Sequence, residues 1–123
     1  MPFDSELDLR SLPQRDAWRV LRPLQYRLAD GNLVVVPTGY VTDLASVPRI
    51  AWRIVPRDYA PARSPAVIHD YIYTNLTHRF TKAEADRIFY DALLEQGAPK
   101  LLAYFMWCAV RVGGRGNWER VWS

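Results

Sequence analysis

The chain has 123 residues, of which 50% are apolar, and a formal net charge of +3. Its length allows one domain with a modest core, and its apolar content and five tryptophans exclude a disordered protein. The charge excess is too small to indicate a nucleic-acid partner. Arginines beside aromatic residues suit an anionic partner such as a phosphate or membrane headgroup, and a simple solvated surface is the alternative.

The first part of the chain has the pattern of β-strands. Residues 18–28 alternate apolar and polar side chains, and Pro23 interrupts them in the manner of an edge or a bulge. The Asp-Gly pair within residues 29–32 predicts a hairpin turn. Residues 33–36 then form the β-branched return strand, which we expect to be covered on both faces, and residues 40–42 form a short further strand.

From residue 46 onward the apolar spacing changes to that of helices. Ser46 is a candidate cap for a helix over residues 46–55, and the three prolines of residues 56–65 predict a loop. A second helix is expected over residues 66–75.

Two further helices follow. Thr81 and Glu84 have the spacing of a capping box, and Gly97 is placed to end the helix that they begin. Pro99 opens a last helix to about residue 112, whose apolar run 101–110 is expected to be buried together with Cys108, the single cysteine.

These elements predict an α+β fold, with a small antiparallel sheet followed by a bundle of three to four helices. We expect one domain over residues 1–123, mainly β in 1–45 and mainly α in 46–123. The acidic beginning of the chain indicates no signal peptide. The apolar stretch over residues 101–112, about 12 residues long, is shorter than the roughly 20 residues that span a bilayer, so no transmembrane segment is expected.

The dipeptide His69-Asp70 carries the clearest chemical signal, because His69 is one of only two histidines. On a helix, Tyr73 shares the face of His69. Asp86 begins the buried face of the following helix, where a carboxylate needs a partner. We expect it to accept from Nδ1 of His69 and to leave Nε2 as a catalytic base; the alternative is a buried polar link between two helices.

A cation site is a second candidate. Asp43 leaves a strand just before a helix, and together with Asp70 and backbone carbonyls it would form the oxygen-rich site that calcium prefers. The alternative is that Asp43 satisfies turn and cap hydrogen bonds. Zinc, held by Asp43, His69 and Asp86, is less favoured, because the second nitrogen ligand would be His78 in an exposed loop.

Three segments resemble an uncharacterised family of tailed bacteriophages and prophages. They are Gly-Tyr-Val-Thr-Asp-Leu-Ala-Ser-Val-Pro at residues 39–48, Ala-Val-Ile-His-Asp and its tyrosine at 66–73, and Ala-Asp with a phenylalanine at 85–89. This resemblance extends from about residue 26 to 118. It implies a phage origin, and hence the host cytoplasm or the virion as the location, with other phage proteins as partners.

About 25 residues are also similar to the two catalytic helices of small bacterial phospholipases A2. The resemblance implies that His69 is the general base, that Asp70 binds Ca²⁺, that Asp86 orients the base and that Tyr73 supports it. The disulfides and glycine-rich calcium loop of that family are absent, so Asp43 and the carbonyl of Leu44 would replace the loop.

Three functions follow as hypotheses. The first is a calcium-assisted hydrolase that attacks an ester of the host cell envelope, with a phospholipid as the first candidate substrate and with water activated by His69. The second is a non-catalytic virion protein of the tail or baseplate. The third is a metal-dependent peptidase that acts on peptidoglycan.

Overall fold

The computed structural model describes residues 7–11, 18–42, 51 and 60–113. Within these ranges an antiparallel β part precedes three helices, so the expected α+β fold is confirmed. The strands are β1 (Leu9–Ser11), β2 (Trp18–Val20), β3 (Leu24–Arg27), β4 (Leu33–Val36) and β5 (Val41–Thr42). The helices are α1 (Ala60–Asn75), α2 (Lys82–Glu95) and α3 (Lys100–Gly113).

The predicted hairpin is the two-stranded sheet of β3 and β4. Gly31 supplies the left-handed backbone of its turn, with φ at +92°. Alternate side chains point into the core, which buries Val34 and Val36. The prediction that β4 is covered on both faces is wrong, because Val35 points away from the core and is 40% exposed.

The other sheet is three-stranded, in the antiparallel order β1-β2-β5. The predicted interruption at Pro23 is confirmed, since β2 ends before it and β3, in the other sheet, begins after it. Strand β1 was not predicted from the sequence. Its three residues are too few for an alternating pattern, and it forms by pairing with β2.

Helix α1 begins at Ala60, earlier than the expected residue 66, so the prediction of a loop is wrong for residues 60–65. Pro61 fits the first turn, where backbone N–H groups have no helical partner. Pro65 lies inside the helix and removes one hydrogen bond, but its ring is buried. The helix predicted over residues 46–55 lies outside the described residues except for Ala51, which is helical and buried.

Helix α2 has the predicted capping box: Glu84 N donates to Thr81 Oγ1 at 3.1 Å, and Thr81 N donates to Glu84 Oε1 at 2.8 Å. The predicted end is also confirmed, since Gly97 has a φ of +95° and its N–H donates to the carbonyl of Leu94. Helix α3 starts directly after Pro99, as expected.

The core lies where α1 packs against α2 and against strands β3, β4 and β5, while α2 also packs against α3. Helix α3 is less buried than its sequence predicts: Leu101 is 82% exposed, Tyr104 is 55% exposed, and Cys108 is only half-buried. In the described part of the chain, none of the helices has the length and apolar character needed to cross a membrane.

Candidate functional site

The structure brings His69 of α1 and Asp86 of α2 into direct contact. His69 Nε2 lies 2.7 Å from Asp86 Oδ1, and neither residue has any exposed area. The imidazole lies between the rings of Tyr73 and Phe89, with centroid distances of 4.3 and 4.9 Å. This packing fixes its orientation. The expectation that Nδ1 makes this contact is therefore wrong, because the ring presents Nε2 to the carboxylate.

Both oxygens of Asp86 are engaged by four donor groups. Oδ1 accepts from His69 and from the Tyr73 hydroxyl at 2.9 Å. Oδ2 accepts from Lys82 Nζ at 2.7 Å and from Arg111 NH1 at 3.1 Å. His69, Tyr73 and Asp86, which the sequence predicts to lie together, are in contact. The side chains of Lys82 and Arg111 add two cations to this group.

Sequence reasoning missed Lys82 and Arg111. The sequence does contain a signal for the contact with Lys82, because Lys82 and Asp86 are four residues apart on one helix, the spacing at which opposite charges come into contact. The contact with Arg111 had none, because it depends on how α3 packs against α2, and the two residues are 25 positions apart.

The surroundings of Asp86 keep its carboxyl group ionised. Burial alone raises its pKa, but the hydrogen bonds and charges of His69 and Lys82 outweigh burial and lower the pKa from 3.8 to about 2. An ionised carboxylate can only accept, so His69 Nε2 carries a proton and donates it. Burial and the neighbouring negative charge of Asp86 also raise the pKa of Tyr73, which holds its hydroxyl as a donor.

Asp70 forms a separate link, between α1 and the strand region that precedes it. Its Oδ2 accepts from Thr42 Oγ1 at 2.6 Å and from the Tyr40 hydroxyl at 3.0 Å, and its residue is only 5% exposed. The Tyr40 oxygen also lies 2.9 Å from Thr74 Oγ1, one helical turn beyond Asp70. These contacts attach α1 to the end of the β part.

The proposed calcium ligands are described only in part. Asp43 and Leu44 lie outside the described residues, and Asp70 has the hydroxyl partners given above. Within the described ranges, no three residues of the types His, Cys, Asp and Glu are grouped so that they could hold a metal ion. His78, the second nitrogen ligand of the zinc alternative, is exposed as expected.

Residues 18–110 match a family described as "Protein of unknown function (DUF1353)". The chain belongs to the DUF1353 family. The match includes His69, Asp70, Tyr73, Lys82 and Asp86, and it ends one residue before Arg111. Comparison with curated proteins and with solved structures found no match.

Proposed function

We propose that this DUF1353 protein is non-catalytic and acts by binding other proteins, as a component of a phage virion such as the tail or baseplate. The observation that supports this proposal most strongly is the state of Asp86. Its carboxylate is fully buried and is held by four donor groups, two of them cationic. Such an arrangement fixes α1, α2 and α3 relative to one another.

The same arrangement is unfavourable for a general base. His69 has no exposed area through which it would meet a substrate or water in this conformation. Lys82 and Arg111 occupy the second oxygen of Asp86, so both carboxylate oxygens are already used by donor groups of the protein itself.

An exposed apolar side of α3 supports a role in binding. Leu101 is 82% exposed, Tyr104 is 55% exposed and Val112 is 81% exposed. They are three and eight residues apart, so they lie along one side of the helix. A soluble helix that is apolar on its outer side as well as its inner side is typical of a surface that a partner covers.

The phage assignment is supported by the sequence resemblance alone. Two of the segments that carry it, at residues 66–73 and 85–89, lie in the DUF1353 match and supply His69, Tyr73 and Asp86 of the buried network. A structural protein of a particle needs a stable fold and partner surfaces rather than an open catalytic cleft, which agrees with the burial of His69.

A second candidate is the calcium-assisted hydrolase that acts on an envelope phospholipid. One specific observation favours it: His69, Tyr73 and Asp86 converge in the arrangement that the phospholipase resemblance implies. Since Nε2 donates to Asp86, the base would be Nδ1. Asp70, with Asp43 and the Leu44 carbonyl, would hold Ca²⁺, which would polarise the ester carbonyl.

Fatty-acid release from mixed phospholipid vesicles, with calcium or with chelator, distinguishes the two candidates. His69→Gln is the informative variant, because a glutamine amide can donate to Asp86 from near the Nε2 position but cannot act as a base. His78→Gln makes the same change at the exposed histidine and serves as the control. We expect no release by any of the three proteins.

Calcium-dependent release by the natural protein and the His78→Gln control, lost in a folded His69→Gln protein, would contradict the non-catalytic proposal and assign the base. The virion part of the proposal is tested on purified phage particles by quantitative mass spectrometry. A fixed number of copies per particle is expected, and absence from particles that otherwise contain all tail proteins would contradict it.

A further inference from the structure

A groove of about 740 Å³ lies between the β3–β4 hairpin and α2, away from the buried network. This volume is within the range of roughly 300–1,000 Å³ that is usual for ligand sites. Its wall on the hairpin side is the end of β3 and the turn that follows, at residues 26–30. Its apolar lining includes Phe80 and Ile88, which are partly buried, and Leu28 from the hairpin.

The charge of the groove is opposite to that of the whole chain. Its lining contains four carboxylates and two guanidinium groups, whereas the chain has a net charge of +3. Arg87 Nε lies 3.1 Å from Asp91 Oδ1, and Arg27 NH1 donates to the carbonyl of Gly31 at 3.4 Å. Because the lining has more carboxylates than guanidinium groups, the groove is complementary to a cation.

Two of the four carboxylates lie together at one end of the groove, where the hairpin meets the last turns of α2. The hydroxyl of Tyr26 donates to Glu95 Oε2 at 3.3 Å, and Asp91 precedes Glu95 by one helical turn. Burial raises the pKa of Glu95; the hydrogen bond from Tyr26 opposes this rise, and the charge of Asp91 adds to it. Burial and the nearby Glu95 likewise raise the pKa of Tyr26. A cation at this end would relieve the repulsion between the two carboxylates.

The lining of the groove along α2 favours an extended peptide over a small amine. Four of its residues, Glu84, Ile88, Asp91 and Glu95, form a line along α2. Eleven residues of helix extend about 16 Å, which is the length of roughly five residues in an extended strand. Side chains of such a segment alternate in direction, so one face would present a cationic and an apolar group to this line.

We propose that this groove binds a short extended segment of a partner protein, with a lysine or arginine against Asp91 and Glu95 and an apolar side chain against Ile88. The inference rests on the proposal that the protein acts by binding other proteins.

The test is fluorescence anisotropy with a labelled pentapeptide, Ser-Leu-Ser-Arg-Ser, whose leucine and arginine are two residues apart and so share one face of an extended strand. A matched peptide has neutral citrulline in place of arginine. We expect the arginine peptide to bind, and to bind about fivefold more weakly when Asp91→Asn removes one carboxylate, as for a partly exposed charge pair. The citrulline peptide should lose at least as much affinity.

Asp8→Asn is the control variant. Asp8 also pairs with an arginine, Arg22, at 3.0 Å on an exposed part of the chain, so the two variants lose equivalent ion pairs. Equal affinities for the arginine and citrulline peptides, equal effects of the two variants, or no binding of the arginine peptide would each overturn the inference. A dimer of the protein alone that Asp91→Asn dissociates would also overturn it, because the occupant would then be a second copy.

The vesicle assay on the same preparation separates this inference from the proposed function. Peptide binding together with calcium-dependent lipid hydrolysis would retain the groove as a binding site and contradict the non-catalytic role. Absence of both peptide binding and hydrolysis would overturn the groove inference and leave the structural role of the buried network.

Discussion

The ammonium group of Lys82 lies 2.7 Å from the carboxylate of Asp86, one helical turn further along α2. The same Nζ donates to the carbonyls of Val110 and Arg111, at 3.0 and 3.1 Å, in the last turn of α3. A cation at the C-terminal end of a helix satisfies carbonyls that have no helical partner and compensates the negative end of the helix dipole. One lysine thus connects the buried carboxylate with the end of the next helix.

Replacement of Asp86 by asparagine tests the buried network as a whole. The amide keeps the size of the side chain but removes the negative charge, so Lys82 and Arg111 lose their counterion. Removal of one partner from a buried ion pair costs roughly 3–5 kcal/mol, so we expect Asp86→Asn to lower the free energy of unfolding by about 3 kcal/mol or more. Urea denaturation followed by circular dichroism measures it.

Asp91→Asn is the control for that measurement, because Asp91 belongs to the same helix but pairs with Arg87 at the surface. Exposed pairs of this kind contribute about 0.5 kcal/mol or less. Similar losses of stability in the two variants would show that the network around Asp86 does not hold the helices together.

The contact between Lys82 and α3 predicts a local effect. Lys82→Met keeps most of the apolar stem and removes the ammonium group, so Asp86 loses a donor and two carbonyls of α3 lose theirs. We expect a loss of about 2 kcal/mol and faster amide hydrogen exchange in the last turn of α3. Lys100, the only other lysine, is exposed, and Lys100→Met should leave both quantities almost unchanged.

The lowered pKa of Asp86 predicts how stability depends on pH. In the unfolded chain this carboxyl group takes up a proton near its ordinary pKa of 3.8, whereas in the folded protein it does so only near pH 2. The stabilisation is therefore complete above about pH 5 and is lost as the pH falls towards 2. It amounts to about 2 kcal/mol.

The measurement is urea denaturation of the natural protein and of Asp86→Asn between pH 2 and pH 7. The difference in unfolding free energy between the two proteins should be constant above pH 5 and should shrink by about 2 kcal/mol as the pH approaches 2. A difference that stays constant down to pH 2 would mean that Asp86 is not held ionised by its neighbours.

The link between Asp70 and β5 predicts the effect of Thr42→Val, which keeps the shape of the side chain but removes the donor at 2.6 Å. Because Thr42 and Asp70 are both buried, we expect a loss of about 1–3 kcal/mol in the free energy of unfolding. Thr38→Val, in the exposed turn before β5, is the matched control. If Thr42→Val is as stable as the control, this link does not attach α1 to the β part.

Local signals in the sequence were sufficient for most of the secondary structure. The Asp-Gly turn, the capping box of Thr81 and Glu84, and the end at Gly97 depend on a few neighbouring residues, and the structure confirms all three. The predicted start of α1 was wrong, because three prolines within a short segment favour a loop. The structure accepts Pro61 and Pro65 in a helix, and the ring of Pro65 is buried.

The sequence by itself determined that Tyr73 shares a helical face with His69 and that Asp86 lies on the buried face of the next helix, because helical periodicity fixes which residues share a side. Only the tertiary structure decided which ring nitrogen meets the carboxylate, since that depends on the packing of the imidazole between Tyr73 and Phe89. It also decided that Arg111 reaches Asp86 from α3. Contacts between distant segments follow from how helices pack, and no local pattern encodes that geometry.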